Sequence, residues 1–458
     1  MASSPAASRR GAQVDPARVA AVDVVTAVDT DGAYANLLLP RLLRERGITG
    51  RDAAFATELG YGTLRWQGVL DEVVAAASGR DVAALDPPVR AVLRVGAYQL
   101  LQLRTPPHAA VHASVEAARA AIGPRPTGLV NAVLRKVGQA DWPRWVDRLA
   151  PADELGRLAF THGYPRWIAA AFDEALGGDR HELDRALSED RPTTHLVARP
   201  GRIDRDELVR QAGEGATAGP WSPYAVRTAG GDPAQLAAVR SGTAAVQDEG
   251  SQLVALAAAR ADVAEDGGNW LDLCAGPGGK AALLAALRPG SVGRMVCAEL
   301  QPHRARLVQG AVDGQADVVV ADGRRPAWPD ATFDRVVVDA PCTGLGALRR
   351  RPEVRWRRTP EDVPRLQKLQ VQLLRAALDA ARPGGVVTYA TCSPHPQETS
   401  AVVDQVLAER ANTRRLDAGA VLGVPDAGMP DMAGAQLWPH RHGTDAMYVA
   451  LLLRERNS

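Results

Sequence analysis

Residues 269–287 read NWLDLCAGPGGKAALLAAL. An apolar segment is followed by a glycine-rich turn, and then by a helix rich in alanine and leucine that stops at a Pro-Gly pair. This order of strand, turn and helix is typical of the ligand-binding crevice of α/β sheets. The spacing of Gly276, Gly278 and Gly279 differs from the GxGxxG pattern that holds a pyrophosphate. The stretch therefore predicts a parallel α/β domain and argues against a dinucleotide.

Three acidic residues end successive predicted strands. Asp272 ends the first strand, Glu299 ends the second at 295–299, and Asp322 ends the third at 318–322. A carboxylate at the second position suits ribose hydroxyls, and one at the third suits the amine of an adenine. Acids also suit a ligand that carries a sulfonium, an ammonium and no phosphate. The pattern favours S-adenosylmethionine over the alternative that each acid is only a helix cap or a solvated turn.

Two cysteines follow strands of the same predicted sheet. Cys342 comes after the strand at 333–339, and Cys392 comes after the strand at 386–391. Ligands of open α/β sheets bind outside the carboxyl ends of the strands, so both thiols are expected beside the methyl donor. The alternative is that both are small buried apolar residues, the usual position of a free cysteine. The turns beside both cysteines favour a chemical role.

Two thiols beside a methyl donor match the chemistry of cytosine carbon 5. This carbon becomes nucleophilic only after a group adds at carbon 6, and a thiolate is well suited to that addition. A second thiol or thiolate can then remove the carbon 5 proton or assist its removal. Asp339, at the end of the fourth strand, would hydrogen-bond the cytosine amine and ring nitrogen. Spacing alone leaves open which cysteine attacks.

The segment 349–358, RRRPEVRWRR, follows the Cys342 turn. Arginines neutralise phosphates and tryptophan stacks on bases, which suits single-stranded or looped RNA. A solvated run of charge is the alternative. A paired cytosine would have to leave the duplex to meet a thiolate, so a loop or an unfolded segment is the expected substrate. The candidate RNA-binding residues are Arg349, Arg350, Arg351, Arg355, Trp356, Arg357 and Arg358.

The chain divides into four predicted segments. Residues 1–14 lack an apolar core and predict a disordered arm. Residues 15–140 have apolar residues at three- and four-residue intervals and predict an all-α domain. Residues 141–244 contain several glycine- and proline-rich turns and predict a linker with a small α+β subdomain. Residues 245–458 alternate short apolar strands with helices and predict the catalytic domain.

Composition excludes several classes of protein. The chain is 46% apolar and 23% charged, as in ordinary globular proteins, and has no apolar run near the roughly 20 residues that a bilayer needs. No signal peptide is evident, so a cytoplasmic location is expected. The net charge of +1 argues against an indiscriminate nucleic-acid binder, although it permits local basic patches. The four cysteines lack a CxxC pair, which argues against zinc and disulfides.

Lysine is rare in this chain. Of its 54 basic residues, only Lys136, Lys280 and Lys368 are lysines. A position that keeps lysine can require a compact ammonium rather than a planar guanidinium. Lys280, at the end of the glycine-rich turn, is therefore a candidate for contact with the donor's surroundings, for lowering a thiol pKa, or for capping the loop.

Five motifs, in this order, resemble those of the Sun-type RNA 5-methylcytosine methyltransferases. They read QDEGSQ, CAGPGGK, DAPCTG, RRPEVRW and YATCS, and begin at residues 247, 274, 339, 350 and 389. Upstream, residues 52–65, 93–100 and 128–135 resemble the NusB-like RNA-binding fold. Together the two resemblances cover nearly the entire chain.

The resemblance implies a fold, a cofactor and a role for each thiol. The implied fold is α/β: a Rossmann-like class I S-adenosylmethionine-dependent methyltransferase domain preceded by an all-α NusB-like domain and a small α+β linker subdomain. Cys392 becomes the nucleophile, Cys342 releases the product, and Asp339 activates the cytosine. The implied donor contacts are Cys274, Ala275, Gly276, Pro277, Gly278, Gly279, Lys280, Glu299, Asp322 and Asp339.

The resemblance also implies an RNA partner. The expected substrate is 16S rRNA, before or during assembly of the small subunit. In the helical domain, Asn131 and Arg135 either touch RNA or only cap and pack helices. We expect a monomer with no membrane partner and no metal.

Three places depart from the family pattern. Gly276 stands where the family usually has Ala, and Thr399 where it often has Asn. Residues 445–448 read DAMY where the family tends to show DGFF. None of these changes removes a reacting group, but the last one affects the packing expected near the site.

Three other functions are compatible with parts of the pattern. One is a non-enzymatic NusB-like RNA-binding or ribosome-assembly factor with a vestigial donor site. Another is methylation of cytosine carbon 5 in a different RNA. The third is DNA cytosine methylation with Cys342 attacking. Intact Asp339, Cys342, Cys392 and Lys280 argue against the first, and the helical domain together with the late Thr-Cys pair argues against the third.

Overall fold

The computed structural model describes residues 15–103, 105–189, 191–289, 293–325, 327–429 and 432–456. The arm predicted at 1–14 lies outside these residues. The chain forms two compact units. The first comprises residues 1–169 and 350–357, and the second comprises residues 170–349 and 358–458. Among the described residues, no helix combines the length and apolar character needed to cross a membrane.

The first unit is built from helices, as predicted. Its helices are α1 Pro16–Thr30, α2 Ala35–Glu45, α3 Gly50–Ser78, α4 Pro87–Gln102, α5 Pro107–Ala121, α6 Thr127–Val137, α7 Trp142–Leu149 and α8 Glu154–Thr161. The carboxylate of Asp15 caps α1 by accepting hydrogen bonds from the backbone N–H groups of Ala17 and Arg18, and Pro16 occupies the first turn. Buried Ala, Val and Leu side chains of α1, α3 and α4 form one apolar core.

The remaining helices are α9 Arg166–Ala175, α10 Arg180–Ser188, α11 Arg205–Ala212, α12 Ala237–Arg240, α13 Glu249–Arg260, α14 Gly279–Leu287, α15 Pro302–Val312, α16 Val354–Arg357, α17 Asp362–Ala380, α18 Ser400–Leu407, α19 Ala418–Leu422 and α20 Pro439–His442. Helix α16 lies in the segment 350–357 and so belongs to the first unit.

A small antiparallel sheet precedes the main sheet in the second unit. Its strands are β1 Thr194–Ala198, β2 Thr217–Ala218, β3 Ala225–Thr228 and β4 Ala244–Val246, in the spatial order β2-β3-β1-β4. Leu196, Ala198 and Val226 pack on Leu208 of α11. This is the small α+β element that the sequence predicts within 141–244.

Within the part of the chain that the structure describes, the main sheet has nine strands. They are β5 Trp270–Asp272, β6 Met295–Glu299, β7 Asp317–Val320, β8 Phe333–Asp339, β9 Ala381–Thr391, β10 Thr413–Leu416, β11 Gly428–Met429, β12 Gly434–Gln436 and β13 Tyr448–Arg454. Their order is β11-β12-β13-β9-β8-β5-β6-β7, and β10 pairs with β13. Strands β5 to β9 are parallel, and β13 runs antiparallel beside β9.

The order of the strands places a crevice at the ends of β5 and β8. From β5 the chain moves outward through β6 to β7, and then returns to the other side of β5 as β8. Such a reversal separates the connecting loops and leaves room for a ligand at the carboxyl ends of the strands. The residues predicted to react or bind follow the carboxyl ends of β5, β6, β8 and β9.

Two strand boundaries differ from the sequence prediction. Strand β7 ends at Val320, so Asp322 lies in the following turn. Strand β9 begins at Ala381 rather than at residue 386. The intervening Arg-Pro-Gly-Gly sequence is typical of a turn, but here it continues the strand through an irregular register that pairs Phe333 with Ala381. Gly384 permits this course because its φ is +81°.

Candidate active site

The glycine-rich turn lies between β5 and α14. Gly278 has a φ of +112°, and a Cβ there would lie 2.6 Å from the Cβ of Ala311. Only glycine allows this backbone shape and this close approach to α15. Gly276 donates its N–H to the Glu299 Oε2 atom at 3.1 Å. The turn is thereby held against the end of β6, with the amino end of α14 facing the crevice.

The acids differ in their surroundings. Asp272 is fully buried, and its Oδ1 accepts a hydrogen bond from the Cys274 N–H at 3.3 Å. Burial, reinforced by the charge of Asp339, raises the pKa of Asp272 to about 7. Asp322 instead forms a two-pronged ion pair with Arg324, whose hydrogen bonds lower the pKa of Asp322.

The residues of the crevice fit S-adenosylmethionine. Among the described residues, the buried Asp272 Oδ2 atom and both amide atoms of Gln247 have no hydrogen-bond partner. The Gln247 amide lies 3.6 Å from the position that a Cβ on Gly279 would take. Buried polar atoms are normally satisfied, so unpaired ones beside a glycine-lined space are suited to a polar ligand. Carboxylates around that space suit a cation, and a phosphate would be repelled.

We predict that Gly276→Ala weakens donor binding. The added Cβ would lie 2.2 Å from the Glu299 Oε2 atom, so the carboxylate must move and lose its hydrogen bond from the backbone. We expect the dissociation constant for S-adenosylmethionine to rise about tenfold, equivalent to about 1.4 kcal/mol, in a calorimetric titration. Equal affinities of Gly276→Ala and wild type would refute this steric account.

Cys342 and Cys392 lie side by side, as the sequence predicts. Their Sγ atoms are 3.4 Å apart. Cys342 follows β8 and Cys392 directly follows β9, and these two strands are parallel neighbours. The Gly346 N–H donates to the Cys392 carbonyl at 2.9 Å, which ties the loop after β8 to the end of β9. The pair is therefore placed by the sheet itself and by a short backbone contact.

Lys280 supplies a positive charge to this pair. Its Nζ donates to Asp339 Oδ2 at 2.9 Å and to Ser251 Oγ at 3.1 Å. Burial alone would lower the pKa of Lys280, but the Asp339 carboxylate raises it above its usual value. The ammonium therefore keeps its proton beside Cys392. Of the three roles considered for Lys280, the structure favours lowering a thiol pKa, because the ammonium pairs with Asp339 and acts on Cys392.

The two thiols differ in acidity. A hydrogen bond from the Cys342 thiol lowers the pKa of Cys392 against the effects of burial and of the Asp339 carboxylate, and the Lys280 ammonium also lowers it. The same hydrogen bond, together with burial and the charge of Glu398, raises the pKa of Cys342. Burial also raises the pKa values of Cys274 and Cys297. Of the four cysteines, Cys392 is the one whose surroundings favour the thiolate.

We predict that Lys280→Met moves the reactivity of Cys392 to higher pH. The substitution removes the ammonium that favours the thiolate, so the pKa of Cys392 rises and less thiolate is present at a given pH. The midpoint of iodoacetamide alkylation, followed by mass spectrometry of the Cys392 peptide, should rise by about one pH unit. Lys368→Met, at a distant lysine, serves as the control. An unchanged midpoint would remove Lys280 from the activation of Cys392.

The predicted RNA-binding segment is largely engaged within the protein. Arg349 is 5% exposed and donates to Asp445 Oδ1 at 3.2 Å and to the Gly443 carbonyl at 2.9 Å. Arg358 donates to the Thr343 carbonyl at 3.2 Å. These two arginines belong to the second unit, and both hold loops of the catalytic sheet.

The middle of this segment packs inside the first unit. Arg355 is fully buried, with its guanidinium 3.5 Å from the centre of the Tyr164 ring. It donates to the Gly163 carbonyl at 3.0 Å, and the Trp356 Nε1 donates to the Arg65 carbonyl at 3.0 Å. Arg357 donates to the backbone carbonyls of Val28 and Ala33.

This packing corrects the prediction for two residues. Buried Arg349 and Arg355 have no surface to offer a phosphate, because their guanidinium groups serve internal carbonyl and carboxylate oxygens. Arg351 is exposed and Arg350 is half-buried. RNA contact by the accessible members of the segment stays a prediction.

Sequence reasoning missed several residues that the structure brings to the site. Ser251 and Gln247 belong to the QDEGSQ motif, which carried the resemblance but received no chemical role. Arg304 donates to the Gly276 carbonyl at 2.6 Å, and no sequence signal distinguished it from other arginines. Glu398 lies six residues after Cys392, and its burial could not be read from the sequence.

The fold and the site together define an α/β methyltransferase of class I, preceded by a NusB-like helical unit. The family model described as 16S rRNA methyltransferase RsmB/F matches residues 261–453, and that of the NusB family matches residues 15–139. A Mycobacterium tuberculosis (strain H37Rv) protein named as a methyltransferase is 52% identical, covering 96% of this chain and 97% of the relative. The ribosomal RNA small subunit methyltransferase B of Pseudomonas syringae pv. tomato is 33% identical, covering 95% and 96%.

The chain belongs to the RsmB/F family of 16S rRNA methyltransferases, whose methyl donor is S-adenosylmethionine. This confirms the predicted family, fold class and cofactor. Two solved structures share the fold. PH0851 has a TM-score of 0.81 at 21% identity, covering 96% of this chain and 99% of that one. NSun6 from Pyrococcus horikoshii, crystallised with SFG, has a TM-score of 0.54 at 16% identity, covering 65% and 100%.

Proposed function

We propose that this protein methylates carbon 5 of a cytosine in 16S rRNA through a covalent bond between Cys392 and carbon 6 of the base. The observation that carries the proposal is the 3.4 Å separation of the Cys342 and Cys392 Sγ atoms at the carboxyl ends of adjacent parallel strands. A single activated thiol would suffice for simple alkylation. Two thiols in contact fit a reaction that needs an attack and a later proton removal.

Cys392 performs the attack. Its thiolate, favoured by the Cys342 hydrogen bond and the Lys280 ammonium, forms a bond with carbon 6 and pushes electron density onto carbon 5. Asp339 lies beside this pair, and its carboxylate, fixed by Lys280, can accept a hydrogen bond from the cytosine amine. When bound, S-adenosylmethionine supplies the electrophilic methyl group that carbon 5 takes up.

Cys342 completes the reaction. Before the attack, its proton is held by the neighbouring thiolate, which raises the pKa of Cys342. Once the Cys392 sulfur is bonded to carbon, that charge is gone and Cys342 more easily loses its proton to water, becoming a thiolate. It can then take the proton from carbon 5, and the electron pair left behind restores the double bond and expels the Cys392 thiolate. The products are 5-methylcytosine, the demethylated donor, the Cys342 thiol and the Cys392 thiolate, and the one proton released overall is the one that Cys342 lost to water.

The substrate follows from the geometry of attack. A thiolate must meet carbon 6 from the face of the ring, where a base in a helix is covered by its neighbours. We therefore infer that the target lies in a loop or in rRNA not yet folded, before or during assembly of the small subunit in the cytoplasm. The helical unit would bind this RNA, with the protein acting as a monomer.

The proposal is tested by supplying the full chain with S-adenosylmethionine labelled in its methyl group. A 16S rRNA transcript, a 23S rRNA transcript and single-stranded DNA of the 16S sequence serve as alternative substrates. We expect labelled 5-methylcytidine from the 16S transcript alone when digested nucleosides are separated by mass spectrometry. Label in another nucleoside would refute the chemistry, and equal labelling of DNA would favour the DNA alternative. RNA binding without any methylation would favour an assembly factor.

A further inference from the structure

Glu398 is a fully buried carboxylate next to the two thiols, and the mechanism above gives it no role. It lies at the end of a short 3₁₀ turn, Pro396–Glu398, that follows Cys392. Placing a carboxylate in the interior costs free energy unless donors surround it. A buried acid at this position therefore requires an explanation from its contacts.

The carboxylate of Glu398 joins the loops that carry the two thiols. Its Oε1 accepts a hydrogen bond from the Thr343 N–H at 2.8 Å, and its Oε2 accepts one from the Thr343 hydroxyl. Thr343 is the residue after Cys342. The Thr343 hydroxyl lies 3.2 Å from the Ser393 hydroxyl, and Ser393 is the residue after Cys392. One acid thus connects the immediate neighbours of both sulfurs.

A second set of contacts fixes Glu398 itself. Gln370, on α17, donates its amide to Glu398 Oε1 at 3.1 Å and to the Pro341 carbonyl at 2.9 Å. Pro341 is the residue before Cys342. The Tyr389 hydroxyl donates to the Glu398 carbonyl at 2.7 Å. The residues before and after Cys342, Pro341 and Thr343, are therefore both hydrogen-bonded within a network that centres on Glu398, and this fixes the position of Cys342.

We propose that Glu398 is a positioning residue for the methyl transfer, because it holds Cys342 at the distance from Cys392 at which the second thiol can reach the carbon 5 proton. The inference rests on the proposed function. Its contacts lie mainly on the Cys342 side, while Cys392 keeps its own tie to Gly346. Loss of Glu398 is therefore expected to slow product release more than attack. Its charge also helps to raise the pKa of Cys342, which supports the same division of roles.

Glu398→Gln is the informative change, since it keeps the size of the side chain while removing the charge and one acceptor oxygen. With a 16S rRNA transcript and S-adenosylmethionine, we expect kcat to fall about 10- to 100-fold while the KM for RNA stays unchanged. The fraction of protein joined covalently to RNA, resolved on denaturing gels, should rise above wild type. Glu409→Gln, which alters a half-exposed acid paired with Arg375, is the matched control and should match wild type.

A second readout does not depend on RNA. In a Cys392→Ala background, the pH midpoint for alkylation of Cys342 should fall when Glu398→Gln removes the nearby negative charge. Thr343→Val, which removes only the hydroxyl, should raise the covalent fraction less than Glu398→Gln does. If thermal denaturation shows that Glu398→Gln is unfolded, Thr343→Val alone decides the question.

The outcomes separate the two proposals. A wild-type protein that makes no 5-methylcytidine overturns the proposed function. A wild-type protein that does so, beside a folded Glu398→Gln variant with unchanged kcat and covalent fraction, overturns the role of Glu398 alone. A variant that loses kcat without gaining covalent product also overturns it, because attack rather than release would then be impaired.

Discussion

Cys342→Ala is expected to leave the protein bound covalently to its RNA. Cys392 remains able to attack carbon 6, but the thiol 3.4 Å away that takes the carbon 5 proton is gone. Without that proton transfer the adduct cannot eliminate, so turnover should fall on the order of 10²- to 10⁴-fold. After incubation with 16S rRNA and S-adenosylmethionine, a denaturing gel should show a slowly migrating species that ribonuclease converts to the size of the free protein.

The trapped species needs a control for non-specific attachment. Cys297→Ala removes a buried cysteine of strand β6 and should give no such species. Omitting the methyl donor should reduce the adduct, because addition at carbon 6 is readily reversed before methylation. If Cys342→Ala turns over normally and Cys392→Ala accumulates the adduct instead, the roles assigned to the two thiols are reversed.

Cys392→Ala is expected to abolish methylation. This substitution removes the one cysteine whose surroundings favour the thiolate. Cys342 remains at the site, but burial and the Glu398 carboxylate raise its pKa and disfavour its thiolate. Loss of a covalent nucleophile typically lowers kcat by at least about 10⁴-fold. We expect no labelled 5-methylcytidine above background and no covalent species, while calorimetry shows S-adenosylmethionine binding close to wild type.

A double variant connects these two results. Cys342→Ala combined with Cys392→Ala should behave as Cys392→Ala alone, because release cannot be blocked when no adduct forms. A covalent species in the double variant would show that another side chain attaches to RNA. That result would contradict the assignment of Cys392 as the nucleophile.

The sequence predicted the parts of the site that lie at strand ends. Asp272, Glu299, Asp339 and Cys392 end or follow strands whose apolar runs are easily recognised, and the parallel sheet then brings them to one edge. The order of the two thiols came from family resemblance. The Lys280 ammonium lowers the pKa of Cys392 and the Glu398 carboxylate raises that of Cys342, which accords with this order, and the order itself stays a prediction.

The sequence failed where tertiary packing decides the outcome. A run of six arginines with one tryptophan predicts a solvent-facing surface, yet Arg355 is fully buried on the Tyr164 ring and on backbone carbonyls. Those carbonyl acceptors have no sequence signature. The burial of Glu398 was not predicted for the same reason. Its partners Thr343 and Gln370 are distant in sequence, and no motif marks them as partners of this acid.

The segment 350–357 also has a consequence for synthesis of the chain on the ribosome. It completes the first unit, whose other part ends at residue 169, about 180 residues earlier. At roughly 5–20 residues per second, translation of the intervening chain takes roughly 10–35 s. During that interval the Arg65 and Gly163 carbonyls lack the donors that Arg355 and Trp356 later provide. The nascent helical unit therefore keeps these acceptors open to water or to chaperones until strands β5 to β8 of the catalytic sheet have been translated.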